Sequence, residues 1–80
     1  MNLALIADII TDYGIIDWVV GDELTVTFSH CEDVDDVMIE LKKRDGIPKE
    51  LEFEPSKERL VIKGSGNTLH ELAEEIDQLW

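Results

Sequence analysis

Basic residues are scarce in this chain. Seven Lys and Arg stand against 19 Asp and Glu over 80 residues, a formal net charge of −12. That shortage excludes the functions that need a positive surface. Such a chain repels the phosphate backbone of nucleic acids and the anionic face of a membrane. Cations and basic protein surfaces are the partners it favours. Cysteine is also nearly missing. Cys31 stands alone, which rules out an internal disulfide and fits a reducing, cytoplasmic setting. Long apolar runs are lacking as well. The stretch from Leu3 to Ile10 is broken by Asp8, has no basic flank and is too short to span a bilayer or serve as a signal. No low-complexity segment or linker interrupts the chain, so residues 1–80 are expected to form one small domain.

What is present is enough apolar residue to fold. At 44% hydrophobic content the chain escapes the combination of high charge and low hydrophobicity that keeps a polypeptide disordered. Leu3, Ile6, Ile10 and Tyr13 recur at helical spacing, with Asn2 placed to cap the helix and Gly14 to stop it in a left-handed conformation. Leu5 and Ile9 widen the apolar surface, so this helix is deeply buried or touches another molecule. Ile15–Val20 and Leu24–Phe28 have the composition of paired strands, joined at Gly21-Asp22 by a two-residue type II′ turn. That turn pairs Val20 with Glu23 and Trp18 with Thr25. Ile16, Trp18 and Val20 then form an apolar strip on the outer face, unless the first helix covers it, a bulge shifts the register or it binds a partner. The same register sets Asp17 against Val26 on the core face, where a lone carboxylate is costly.

Ser29 and Glu32 have the spacing of a capping box for a second helix reaching about Arg44, with Val34, Val37, Met38 and Leu41 on its core side. Glu50–Glu54 alternates with strand period, Pro55–Glu58 is expected to turn, and Arg59–Lys63 to return. A four-residue loop pairs Glu54 with Arg59, Glu52 with Val61 and Glu50 with Lys63, which makes a charge ladder on one face. Gly64–Asn67 is expected to be a flexible connector. Thr68 and Glu71 form a second capping box before a last helix with Leu69, Leu72, Ala73 and Ile76 inside. The expected fold is α+β: a two-layer sandwich in the order α-ββ-α-ββ-α, with helices packed on a largely antiparallel four-stranded sheet. Residues 15–45 and 50–80 have the outline of two ββα units.

The densest acidic cluster runs from Glu32 to Asp36. Asp33, Asp36 and Glu40 share one outward helix face, where three carboxylates with water could hold calcium or magnesium. Acids at a helix start are also favoured by the helix dipole with no ligand present. His70, Glu74 and Asp77 lie on one side of the last helix and could take a transition metal. The i,i+4 pair His70 and Glu74 is equally an ordinary local ion pair. His30 and Cys31 are adjacent, and neighbours at a helix start diverge rather than converge as a nucleophile pair. Lys63–Thr68 places glycines before a helix start but lacks the ending of a phosphate-binding loop. No set of nucleophile, base and oxyanion donor is present and no cofactor fingerprint, so an enzyme is not expected.

Two functions follow from these residues. One is divalent-cation binding at Asp33, Asp36 and Glu40. The other is a protein-interaction module, a homodimer or the binder of a basic protein, using the acidic surface and the strip Ile16, Trp18 and Val20. In size, charge and α/β texture the chain resembles the small acidic conserved hypothetical proteins of methanogenic archaea. That resemblance implies divalent-metal binding, as is thought of some proteins of that kind, and carries no residue assignment.

Overall fold

A computed structural model of the protein describes residues 3–80. Three helices and four strands follow the order α-ββ-α-ββ-α: α1 (Leu3–Thr11), β1 (Ile15–Val20), β2 (Leu24–Phe28), α2 (Cys31–Lys43), β3 (Glu52–Ser56), β4 (Arg59–Lys63) and α3 (Gly66–Leu79). The sheet is antiparallel throughout, with strand order β1-β2-β4-β3. Leu24, Val26 and Phe28 of β2 and Leu60 and Ile62 of β4 are buried beneath the helices. Thr25, Thr27, Arg59, Val61 and Lys63 alternate with them and point to the other face. The α+β sandwich expected from the sequence is the one observed.

α1 is apolar around most of its circumference because it is the inner helix. Leu3, Ile6, Ala7, Ile9 and Ile10 are all buried. It packs along α3 and more lightly against α2. The expected cap at Asn2 lies outside the described residues. The expected left-handed stop at Gly14 is not how the helix ends: among the described residues the positive-φ ones are Lys57 and Gly46. Instead the Thr11 hydroxyl donates to the Ala7 carbonyl at 2.8 Å and the Ile15 amide donates to the Tyr13 carbonyl at 2.9 Å. Gly14 has a different duty. Its carbonyl accepts from both the Ser29 amide (2.7 Å) and the Ser29 hydroxyl (2.8 Å), tying the entry of β1 to the exit of β2.

The first hairpin departs from expectation by one residue, with large consequences. Ile15 pairs with Phe28 as the type II′ turn requires, but Asp17 pairs with Thr27, Trp18 with Val26 and Val20 with Leu24. A bulge at Ile16 absorbs the difference. Because side chains alternate with period 2, a shift of one exchanges the faces. Trp18 and Val20 therefore turn toward the helix layer and are half-buried, while Asp17 and Val19 turn outward. The expected outward strip Ile16, Trp18 and Val20 is thus corrected: Ile16 alone of the three is exposed, at 54%. The costly core position expected for Asp17 also disappears, since the bulge places it in solvent.

The second hairpin is also tighter than expected, with Ser56 opposite Arg59, Glu54 opposite Val61 and Glu52 opposite Lys63. Lys57, at φ 55°, occupies the left-handed position of a two-residue loop. The expected pairing is off by two residues here, an even number, so every side chain keeps its face. Phe53 stays on the inner side beside Ile62, and the glutamates stay outside.

Both expected capping boxes are corrected. The N-cap of α2 is His30 with no side-chain cap bond, because the Ser29 hydroxyl is engaged at Gly14. α3 begins two residues before Thr68 at Gly66, capped by Ser65, so the segment expected to be a flexible connector is the cap and first turn of a helix. The Ser65 hydroxyl accepts from the Thr68 amide at 3.3 Å and donates to the Thr68 hydroxyl at 2.7 Å. Buried Thr68 in turn donates to Glu50 Oε1 at 3.3 Å. This chain of bonds anchors the start of α3 to the segment leading into β3. From there α3 reaches β1, where Trp80 meets Trp18 edge-on with ring centroids 4.7 Å apart.

Candidate functional site

β1 is an edge strand that pairs only with β2 among the described residues. One side of its backbone is left without a strand partner. Such an edge is a template for another chain unless it is blunted. The opposite edge, β3, is blunted: Pro55 lacks an amide hydrogen and Glu52 and Glu54 flank it. β1 has the bulge at Ile16 and the single charge of Asp17, and beyond the bulge Trp18, Val19 and Val20 run without a charge.

Apolar side chains collect on both sides of this edge. On the outer side Val19 is 67% exposed, and at the bulge Ile16 is 54% exposed. On the helix side the C-terminal end of α3 brings Leu79, 49% exposed, and Trp80, 61% exposed. Trp18 lies under Trp80 and is half-buried. Four of the five large apolar residues exposed in the described chain therefore belong to one end of the molecule, and Ile39 on α2 is the exception. Scattered apolar residues on a surface are ordinary, whereas a contiguous group beside an open strand edge marks a contact surface.

The exposed residues at this edge differ from those expected: Val19, Leu79 and Trp80 replace Trp18 and Val20. The sequence also shows a charge asymmetry along its length. Residues 1–41 contain ten acidic side chains and no Lys or Arg, and the seven basic residues all lie between Lys42 and Lys63. Lys57, Arg59 and Lys63 sit on the hairpin at the far side of the sheet from β1. Asp12, Asp17 and Asp22 are exposed along or beside β1, which itself carries no Lys or Arg. Lys63 is absorbed on the outer face, 2.9 Å from Glu54 and 3.6 Å from Glu23. Its ammonium is held above the ordinary lysine range, first by the Glu54 hydrogen bond, then by the charges of Glu54 and Glu23.

The carboxylates expected to hold a cation are spread along α2. Asp33 and Glu40 are half-exposed and Asp36 is exposed. Glu40 faces Arg44 at 3.7 Å and Lys43 at 3.9 Å. Among the described residues, no three His, Cys, Asp or Glu side chains converge in an arrangement that could hold a metal ion. The structure does bring one unexpected residue to this face. The Tyr13 hydroxyl is pushed above the ordinary tyrosine range, first by partial burial, then by the charges of Asp36, Glu40, Asp12 and Asp33. The end of α1 thus shares a negative field with the outer side of α2. Cys31 is exposed at the first residue of α2. A concavity at the β3–β4 loop is lined by Ser56, Lys57, Glu58 and Arg59, with no apolar side chain among them. No helix among the described residues is long and apolar enough to cross a membrane.

Comparison with protein-family models, with curated proteins and with solved structures gave no match for this chain.

Proposed function

We propose that the protein is a protein-interaction module whose docking surface is the β1 edge. The observation that supports this reading is the coincidence of an open strand edge with the exposed group Ile16, Val19, Leu79 and Trp80. Main-chain groups of the edge would supply affinity, and the flanking apolar side chains would supply area and register. A cytoplasmic setting, where exposed Cys31 stays reduced, accords with this role. A photoreactive residue placed at Val19, in the cells that make the protein, tests it. The expected result is a discrete, saturable adduct mapped to β1. Ile39, 50% exposed on α2, is the control for general stickiness. Equal crosslinking from both positions, or none from Val19, would sink the reading.

A second reading is divalent-cation binding by the carboxylates of Asp33, Asp36 and Glu40 on the solvent side of α2, next to Tyr13 at the end of α1, with water completing the shell. Binding there would be weak, because carboxylates on an open helix face enclose a cation poorly. Titration of labelled protein should then move the amide resonances of Tyr13, Asp33 and Asp36 to saturation, and Asp36→Asn should abolish the response. Shifts that grow linearly with metal over the whole acidic surface would dismiss a localised cation site.

A further inference from the structure

We infer that the β1 edge takes an extended basic segment of another protein, which adds as a fifth strand with apolar side chains on the helix side and Lys or Arg on the outer side. This rests on the interaction reading above and names the partner's chemistry.

The two rows of side chains flanking the edge differ in kind. On the helix side a docked strand meets Trp18 and Val20, with Trp80 packed edge-on against Trp18. On the outer side it meets Asp17 and Val19. Successive residues of a strand point to opposite faces, so the complementary segment alternates apolar and polar residues. The sign of the polar row follows from the charges at hand. Asp17 stands in the strand, Asp12 precedes it and Asp22 follows it, all exposed. The last turn of α3, which reaches this edge, carries Asp77 and no basic residue. No Lys or Arg occurs in residues 1–41 to answer an acidic partner.

The same charges argue against a second copy of this chain as the occupant. Self-pairing through β1 would bring Asp12, Asp17 and Asp22 of both copies into one strip with no cation between them. Like charges across a strand pair are destabilising, and opposite ones stabilising. A segment alternating Lys with Val satisfies both rows at once.

The test uses a capped synthetic peptide of alternating Lys and Val, about eight residues long, the length of an ordinary strand. Both tryptophans of the protein, Trp18 and Trp80, lie at the proposed site, so their fluorescence reports binding there. The expected result is a saturable fluorescence change, with amide shifts confined to β1 and the end of α3. The affinity should fall roughly tenfold between about 50 mM and 500 mM NaCl as the charges are screened. Asp17→Asn, at an exposed position, should weaken binding roughly threefold to fivefold, the effect of one surface charge pair. A peptide of the same composition with its lysines and valines in separate blocks should bind less well.

Equal binding of the blocked peptide, or of alternating Glu and Val, would overturn the inference. So would shifts centred on Asp33, Asp36 and Glu40, which would mark unspecific attraction to the acidic helix. A concentration-dependent β1 signal without peptide, strengthening with salt, would show that the occupant is a second copy. The interaction reading would then stand and the basic-strand inference would fall. If β1 is unmoved by peptide, self-association and the crosslinking at Val19 alike, both fall.

Discussion

Phe28→Ala is expected to remove about a quarter or more of the stability of the domain. Phe28 is fully buried at the end of β2, opposite Ile15 and across the start of the bulged strand. Removing a buried phenyl ring costs about 3–5 kcal/mol, as lost transfer energy plus the cavity left behind. An 80-residue domain has roughly 4–12 kcal/mol of stability to lose. The backbone would not compensate, because the Phe28 amide also fastens the β3–β4 loop through the Glu58 carbonyl at 2.7 Å. Urea denaturation followed by circular dichroism should show the midpoint falling by roughly a quarter or more. Phe28→Leu keeps most of the volume and should cost about 1–1.5 kcal/mol. A midpoint for the alanine variant close to that of the native protein would show that Phe28 is not the keystone its burial implies.

The second large effect is on salt dependence. Raising NaCl from about 20 mM to 0.5 M should raise Tm by roughly 10 °C. At the lower concentration the screening length is about 20 Å, and at the higher about 4 Å. The molecule measures 28 × 25 × 21 Å, so in dilute salt nearly every charge interacts with every other. With net charge −12 that interaction is repulsive and is strongest in the folded chain. Relieving it is worth on the order of 2 kcal/mol by Coulomb's law with these lengths, which converts to the stated shift for a domain of this size. The opposing loss is small. Glu40 with Lys43 and Arg44, and Lys63 with Glu23 and Glu54, are solvent-exposed pairs, and such pairs contribute little at any salt concentration. Scanning calorimetry across an NaCl series decides the point. A flat or falling Tm would mean that the ion pairs outweigh the repulsion. Glu74→Lys, which removes two units of negative charge at an exposed site on α3, should shrink the increment.

The helices and strands themselves were legible in the residue pattern because each is amphipathic at its own period. Val34, Val37 and Leu41, and Leu69, Leu72, Ala73 and Ile76, are buried as their spacing requires. Strand partnership was less legible, and the two hairpins show why. In β3–β4 the error was two residues, and the pleat forgave it. In β1–β2 it was one, and Trp18, Val20 and Asp17 all changed face. Nothing local distinguishes Ile15 from Ile16, and only packing of Ile15 against the core makes one of them inner and the other extra. The same lack of local contrast misplaced the caps. Ser29 has the spacing of a capping residue, but its hydroxyl is drawn to a carbonyl fifteen positions away in the chain. Ser65, the cap that does form, sits between glycines that have the composition of a flexible connector. The docking surface depended on this same register, which is why Val19 and Trp80 became visible only in three dimensions.

The charge beside β1 has a consequence for kinetics. Asp12, Asp17 and Asp22 are exposed along or beside this edge, which carries no Lys or Arg, in a molecule of net charge −12. Such a field draws a cationic surface inward and raises the rate of encounter, over a range set by the screening length. The layout of the lysines, none of which lies on β1, thus bears on how fast a complex forms as much as on how long it lasts.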